Sequence, residues 1–183
     1  MTILHLDHFT LRTAKVEETA AFFRDAIGMT EGWRPGFRFP GKWMYAGDRP
    51  MVHIANVEAN NAQMTAYLGN REVTPGGGSL DHISLRCTGL SDYQKRLSAL
   101  RLAFQERVVP ELSEHQVFLE DPNGIRIELL FPYSPDNRIL GDNLGRMDLK
   151  ATSALPTPVS KANQATCERG NAVATHHAVQ EGN

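Results

Sequence analysis

The feature that most constrains this chain is a seven-residue segment that occurs twice. Leu6-Asp7-His8-Phe9-Thr10-Leu11-Arg12 returns as Leu80-Asp81-His82-Ile83-Ser84-Leu85-Arg86 with two conservative changes. Each copy reads as a strand and is followed by a helical pattern of apolar residues, then by three short strand-like stretches separated by Pro and Gly turns. The sequence therefore predicts a tandem duplication of one β-α-β-β-β unit.

The predicted elements of the two units follow the same order. In the first unit we expect a helix over 15–27, ended by Gly28, and strands over 3–13, 31–37, 42–46 and 51–57. In the second we expect a helix over 90–102 and strands over 80–86, 104–109, 116–120 and 125–131. The final strands also align, because His53 falls opposite Glu128 at a shift of 75 (128 minus 53) against 74 (82 minus 8) for the first strands.

These elements predict an α+β fold with four segments. Residues 1–70 form the first module, 71–79 a glycine-rich linker, 80–132 the second module, and 133–183 a polar tail. No aromatic residue follows Tyr133, so the tail cannot bury enough apolar surface to fold alone and is expected to be loose or wrapped around a partner.

Composition narrows the class of partner. The 183 residues carry a formal net charge of −2, which gives no basic surface for nucleic acid or an anionic membrane. The N-terminus lacks a signal-peptide pattern, and no apolar run is long enough to span a bilayer. The two cysteines lie far apart, as is common in a reducing compartment. We expect a cytoplasmic protein that binds a small molecule.

Strand alternation groups four polar side chains on one face. His8 and His82 point away from the apolar residues that follow them, and His53 and Glu128 each lie between two apolar neighbours directed to the opposite face. If the two sheets curve toward one another, these four residues line one concave surface. Imidazoles and a carboxylate suit a divalent transition metal, namely Zn, Fe, Mn, Ni or Co.

The sequence around these residues resembles the sequences of the vicinal oxygen chelate superfamily. This superfamily contains glyoxalase I, extradiol dioxygenases, methylmalonyl-CoA epimerase and the fosfomycin and bleomycin resistance proteins. The resemblance covers roughly residues 3–131, and its most specific part is Asp121-Pro122-Asn123-Gly124-Ile125-Arg126-Ile127-Glu128. It implies paired βαβββ modules whose sheets curve around a metal-centred cleft, and a homodimer. Members of the superfamily pair their modules within a chain or across a dimer, and the sequence leaves both open.

By position, the resemblance implies that His8, His82 and Glu128 are metal ligands. His53 departs from glyoxalase I, which has a glutamate there that serves as ligand and base, and from the epimerase, which has a glutamine. We expect His53 to act as a fourth ligand or as the acid or base, beside Glu128 as a catalytic group. One carboxylate with neutral histidines leaves about one positive charge on a divalent metal site, which favours an anionic ligand.

Six further side chains are candidates for binding the substrate. Phe118 stands where extradiol dioxygenases carry a tyrosine, and His115 could replace the missing hydroxyl. The segment around Pro35-Gly36 and Pro40-Gly41 mixes cations with aromatic residues that could grip a carboxylate or a ring, and we select Arg34, Arg38, Lys42 and Trp43 from it.

Three functions follow from this set. In the first, a metal-dependent enzyme of glyoxalase type stabilises an enediolate while Glu128 or His53 moves a proton, giving an isomerase, epimerase or lyase. In the second, ferrous iron held by His8, His82 and Glu128 serves an extradiol-type dioxygenase. In the third, the fold sequesters a ligand without catalysis, as the bleomycin resistance members do. We favour them in that order.

Overall fold

The computed structural model describes residues 2–57, 62–69 and 72–146, and Met1–Asp148 form one compact unit. Its strands are β1 (Phe9–Thr13), β2 (Thr30–Glu31), β3 (Gly41–Ala46), β4 (Arg49–Asn56), β5 (His82–Arg86), β6 (Gln105–Val109), β7 (Glu114–Glu120), β8 (Arg126–Pro132) and β9 (Asp142–Arg146). The helices are α1 (Val16–Ala21), continued by a π-helical turn over Phe22–Ala26, α2 (Ala62–Leu68) and α3 (Leu90–Ala99), with a 3-10 turn at Pro110–Leu112.

The strands form two mixed sheets, one from each copy of the repeat. The first has the order β1-β4-β3-β2 and the second the order β5-β8-β7-β6-β9. In both sheets the first strand of the unit pairs in parallel with the last, and the remaining pairs within the unit are antiparallel. The predicted α+β fold of two β-α-β-β-β units is confirmed.

The strand registers show that the two units are superimposable copies. Thr10 pairs with His53 in the first sheet, and Ser84 pairs with Glu128 in the second. These pairs are offset by 74 (84 minus 10) and 75 (128 minus 53), as the sequence predicts. On the other side of His53 lies Trp43, and in the second sheet Phe118 takes that place beside Glu128.

One hydrophobic core lies behind both sheets. Side chains from β1 and β4 and their counterparts in β5 and β8 share one buried cluster with α1, its π-helical turn and α3. Its largest members include Phe23, Met44, Leu97, Ile127 and Phe131. Tyr93 in α3 donates its hydroxyl hydrogen to the Ile27 carbonyl oxygen, at 2.6 Å, and so ties the second helix to the end of the first. The apolar faces of the two units therefore stabilise one another.

The Asp-Pro-Asn-Gly turn before β8 joins the two units. The buried Asp121 carboxylate accepts the Asn123 and Ile125 backbone N–H groups, each at 2.8 Å, which closes the turn. The Asn123 side chain then reaches the first unit, accepting the Thr13 hydroxyl at 2.5 Å and donating to the Thr19 hydroxyl at 3.1 Å. The most family-specific motif of the sequence is thus also a contact between units.

The structure differs from the prediction at four places. The strand expected over 31–37 is only Thr30–Glu31, because Pro35 lacks a backbone N–H and Gly36 adds flexibility. The strand expected from residue 3 begins at Phe9. Helix α2 occupies part of a polar stretch in which no helix was expected, and β9 adds a parallel strand to β6 from within the predicted tail. The tail from residue 147 onward lies outside the described residues.

No helix in the described ranges has the length and apolar character needed to cross a bilayer.

Candidate metal-binding site

The first half-site consists of His8 and His53 on the polar face of the first sheet. Their rings stack with centroids 3.9 Å apart, and the His53 ring stacks in turn on Trp43 at 3.8 Å and an interplanar angle of 3°. Parallel pairing of β1 with β4 produces this arrangement, because Thr10 on the face of His8 is the register partner of His53. We call His8 and His53 the first half-site.

Burial keeps His53 neutral. Desolvation, and then the charge of His8, lower the pKa of His53 to about 4, although a hydrogen bond with the Pro50 backbone opposes the shift. The Nε2 atom of His53 is buried and has no hydrogen-bond partner among the residues that the structure describes. A neutral imidazole with an unused ring nitrogen can bind a metal ion or accept a proton.

The second half-site consists of His82 and Glu128 on the equivalent face of the second sheet. His82 Nε2 lies 3.2 Å from Glu128 Oε2, and the Ser84 hydroxyl donates to the same carboxylate oxygen. The Glu128 side chain is almost fully buried, whereas that of His82 is 37% exposed. The serine, which pairs with Glu128 in the strand register, fixes the orientation of the carboxylate.

An aspartate orients each exposed histidine, a role that the sequence reasoning missed. Asp7 Oδ1 lies 2.6 Å from His8 Nδ1, and Asp81 Oδ1 lies 2.6 Å from His82 Nδ1. These hydrogen bonds lower the pKa of both aspartates. A carboxylate on Nδ1 leaves Nε2 with its lone pair, as in carboxylate–histidine–metal arrangements. The signal was present, since both copies of the repeat contain Asp directly before His.

The imidazole and carboxylate donors suit a divalent transition metal. Within one chain, however, they lie in two separate pairs. Two ligand atoms at about 2.1 Å from one metal ion lie about 3.0–3.4 Å apart, which matches the separation of His82 Nε2 from Glu128 Oε2. Within the described ranges, no three His, Cys, Asp or Glu side chains are close enough to hold a metal together. The two half-sites therefore do not meet within the described part of the chain.

Both half-sites lie beside an open sheet edge. Strands β1 and β5 are each the terminal strand of their sheet. Just upstream of them, Leu6 is 66% and Leu80 is 53% exposed. Each half-site thus has an exposed leucine and a terminal strand beside it.

The sequence of the chain identifies its family. The sequence model of the Glyoxalase/Bleomycin resistance protein/Dioxygenase superfamily matches residues 5–129. The chain belongs to this superfamily. No curated protein matches the sequence at a significant level.

Three solved structures with a similar fold come from proteins of different kinds. A glyoxalase family protein of Bacillus anthracis is 20% identical, with a TM-score of 0.56, 73% of this chain covered and 98% of that one. Lactoylglutathione lyase of Agrobacterium tumefaciens is 16% identical, with a TM-score of 0.52 and coverage of 68% and 90%. An antibiotic binding protein of Streptomyces is 19% identical, with a TM-score of 0.51 and coverage of 73% and 99%. At these identities the likeness establishes the fold alone.

Three of the substrate-binding candidates lie on the polar faces of this superfamily fold. Trp43 contacts His53, and Phe118 pairs with Glu128 in the strand register. The Arg34 guanidinium lies 4.9 Å from the ring centroids of both Phe37 and Phe39, and burial lowers the pKa of Arg34. Arg38 is exposed, and its backbone N–H donates to the Gln63 side chain.

The other two candidates point to the opposite faces. Lys42 is adjacent to Trp43 in β3, so its side chain leaves the sheet on the helix side, where it pairs with Glu17 at 2.8 Å and Glu31 at 2.9 Å. His115 is fully buried behind β7 and pairs with Glu106 at 2.5 Å, whereas Phe118 lies three residues further on and faces the other way. Neither side chain lies on the polar face that carries the half-sites.

Proposed function

We propose that this protein is a divalent-metal-dependent enzyme of glyoxalase type. It acts on a small substrate that chelates metal through neighbouring oxygens, and it moves a proton on the carbon next to a carbonyl, as an isomerase, epimerase or lyase does. The observation that carries this proposal is the pair of equivalent half-sites, each with one histidine oriented by an aspartate and a second, buried polar residue that suits a ligand or base.

The proposed ligands are His8, His82 and Glu128, with His53 as a fourth ligand or as the base. When bound, a divalent metal polarises a chelated carbonyl and so makes a neighbouring C–H group more acidic. Zn, Fe, Mn, Ni and Co all suit this donor set. Asp7 and Asp81 position the two exposed histidines and fix which ring nitrogen carries the proton.

Glu128 and His53 are the groups that transfer the proton. The Ser84 hydroxyl and His82 both engage Glu128 Oε2, so Oε1 stays available for a second role. With a pKa of about 4, His53 is neutral at physiological pH and acts as a weak base, so it accepts a proton from a strongly acidified C–H group. Two groups on opposite sides of a substrate can remove a proton from one face and return one at another position.

We further propose that a second copy of the chain completes the site. The first half-site of one copy faces the second half-site of the other, which gives two complete sites per homodimer. The open edges of β1 and β5 and the exposed Leu6 and Leu80 beside them support this arrangement. A twofold operator brings both pairs together at once.

A ferrous dioxygenase is the second candidate. Two histidines and one carboxylate with open positions are the ligand set of non-haem iron oxygenases, and His8, His82 and Glu128 supply it. Phe118 pairs with Glu128 in the register but has no hydroxyl for a catecholic substrate.

Metal content and proton exchange test the proposal. Protein purified without chelator is analysed for metals, then incubated with 2-oxobutanoate in D2O while NMR follows deuterium uptake at C3. We expect one metal per chain, and exchange that Glu128→Gln abolishes. Iron with oxygen uptake on catechol would instead support the dioxygenase. Absence of metal, with ligand binding retained in His82→Ala, would support a sequestering protein.

A further inference from the structure

Two arginines on the second sheet lie around the candidate ligand Glu128. Arg126 precedes Glu128 by two residues in β8, so the two side chains leave the sheet on the same face. The Arg126 and Arg107 guanidinium carbons lie 4.7 and 5.0 Å from the ring centroid of Phe118, the register partner of Glu128. The ring thus holds two cations beside the second half-site.

Neutral amides, rather than carboxylates, fix both guanidinium groups. Arg126 Nη2 donates to Gln105 Oε1 at 3.0 Å, and Arg107 Nε donates to Gln116 Oε1 at 2.7 Å. Neither arginine forms an ion pair with a carboxylate anywhere in the described ranges. Since a guanidinium has five N–H donors, most of them stay available to a ligand.

The carboxylates near the two cations form no ion pair with them in the described ranges. Glu114 pairs with Arg86 at 2.9 Å, and Glu128 is engaged by its own half-site. Glu120 is the register neighbour of Arg126, but it is exposed to solvent and forms no ion pair with it. The hydrogen bond with His82, and then the charge of Arg126, help to lower the pKa of Asp81, but Asp81 pairs with His82 and neither arginine is held in an ion pair within the described ranges.

The first sheet has no such cations at the equivalent positions. At a shift of 75, Trp43 corresponds to Phe118 and Met51 corresponds to Arg126. The Trp43 ring stacks on His53 instead of on an arginine. A site built from one half of each kind would place Trp43 and Arg34 on one side and Phe118 with its two arginines on the other.

We propose that Arg107 and Arg126 bind a carboxylate of the substrate that is separate from the oxygens that chelate the metal. The substrate class is then a dicarboxylic carbonyl acid, in which one end chelates and the other lies between the two guanidinium groups. Planar guanidinium groups match carboxylates through paired hydrogen bonds, which gives specificity as well as affinity. This inference rests on the proposed function, because it places the chelating end at Glu128.

Two matched probes separate the two ends of such a substrate. The acids 2-oxoglutarate and 2-oxopentanoate share the same chelating head and chain length, and they differ only in a carboxylate or a methyl group at C5. We expect metal-loaded protein to bind 2-oxoglutarate at least about tenfold more tightly in isothermal titration calorimetry. Equal affinity for the two acids would overturn the inference.

Substitutions of the two arginines test whether they cause the preference for 2-oxoglutarate. In Arg126→Met and Arg107→Met the preference should fall toward one while 2-oxopentanoate binds as before, and Arg126→Lys should keep an intermediate preference because it keeps the charge but not the planar fork. Arg24→Met, on the outer surface of the first unit, should match the wild type. If the methionine variants unfold, Arg126→Lys and Arg107→Lys carry the test.

The outcomes distinguish this inference from the proposed function. A preference that survives all the arginine variants contradicts the role of the two cations. Wild-type protein that binds neither metal nor either acid contradicts the proposed function itself. Metal and 2-oxopentanoate binding without preference for 2-oxoglutarate contradicts only the second carboxylate.

Discussion

Asp81 Oδ1 and His82 Nδ1 lie 2.6 Å apart, and Asp7 and His8 repeat the same contact in the other half of the molecule. The carboxylate accepts the proton of one ring nitrogen and thereby leaves the other nitrogen as an electron-pair donor. Because two adjacent residues make the contact, the geometry is local to each copy of the repeat. The repeated Asp-His pair is therefore a preorganised ligand unit.

We expect Asp81→Asn and Asp7→Asn each to weaken metal binding by about 10- to 100-fold, because a neutral amide holds the imidazole less firmly and no longer raises its basicity. Titration of metal-free protein with Zn²⁺ or Mn²⁺ measures the affinity. Asp92→Asn, an exposed aspartate in α3, is the matched control and should bind metal as the wild type does. Wild-type affinity in both repeat variants would show that these aspartates do not orient the ligands.

Mixing two inactive variants tests whether two chains share each site. The first variant carries His8→Ala with His53→Ala, and the second carries His82→Ala with Glu128→Ala. If half-sites pair across the dimer, each mixed dimer contains one intact site and one doubly damaged site, so an equal mixture should recover about a quarter of the wild-type metal content and activity. If the modules pair within a chain, the mixture stays inactive.

Most of the fold could be predicted because the patterns that indicate its strands and helices are local and occur in both copies of the repeat. Alternation within the repeated strands placed His8, His82, His53 and Glu128 on polar faces, and the same rule places Lys42 opposite Trp43, since neighbours in a strand cannot share a face. The same rule places His115 and Phe118, three residues apart, on opposite faces of β7.

The elements that the sequence did not predict, α2 and β9, depend on contacts between distant segments, which no local pattern encodes. Helix α2 lies in a polar stretch, where Met64 is buried against Phe39, just before β3, and against Ala55 in β4. Strand β9 contains few apolar residues and forms because β6 offers it an edge. Nor does the sequence show that the two half-sites lie apart in one chain, because that depends on how the units pack.

We expect Asn123→Ala to destabilise the folded protein by about 1–3 kcal/mol, since it removes a partly buried amide that bonds Thr13 and Thr19 of the other unit. Urea unfolding monitored by circular dichroism measures the change. Asn137→Ala is the control, because the Asn137 side chain is partly buried and donates to the Pro132 carbonyl of its own unit rather than to the other unit. Equal stability of the two variants would show that the turn does not couple the units.

The buried Glu106 carboxylate predicts a loss of stability in acid. Burial by itself raises the pKa of Glu106, but hydrogen bonds from His115, Gly141, Leu140 and Gln94 outweigh it and hold the pKa below its usual value. A group whose pKa is lowered in the folded state stabilises that state fully above its unfolded pKa of about 4.3, and this stabilisation disappears as the pH falls through the folded value.

Glu106→Gln should therefore be less stable than the wild type at pH 7, and the difference should shrink as the pH falls below about 4. Urea unfolding at a series of pH values measures it. Glu111→Gln, at an exposed position in the 3-10 turn, should show no such trend. A difference that does not vary with pH would mean that the charge of Glu106 contributes nothing to stability.

His53→Gln separates the two roles proposed for His53. A glutamine oxygen can still bind a metal ion, but the amide cannot accept a proton as the buried neutral imidazole can. If His53 is the base, metal content measured by mass spectrometry should match the wild type, while the rate of C3 proton exchange falls by about 10²- to 10⁴-fold. Thermal unfolding of the variant checks that losing the ring stack with Trp43 and His8 leaves the fold intact. Complete loss of metal from a folded variant would instead make His53 a required ligand and leave the proton transfer to Glu128.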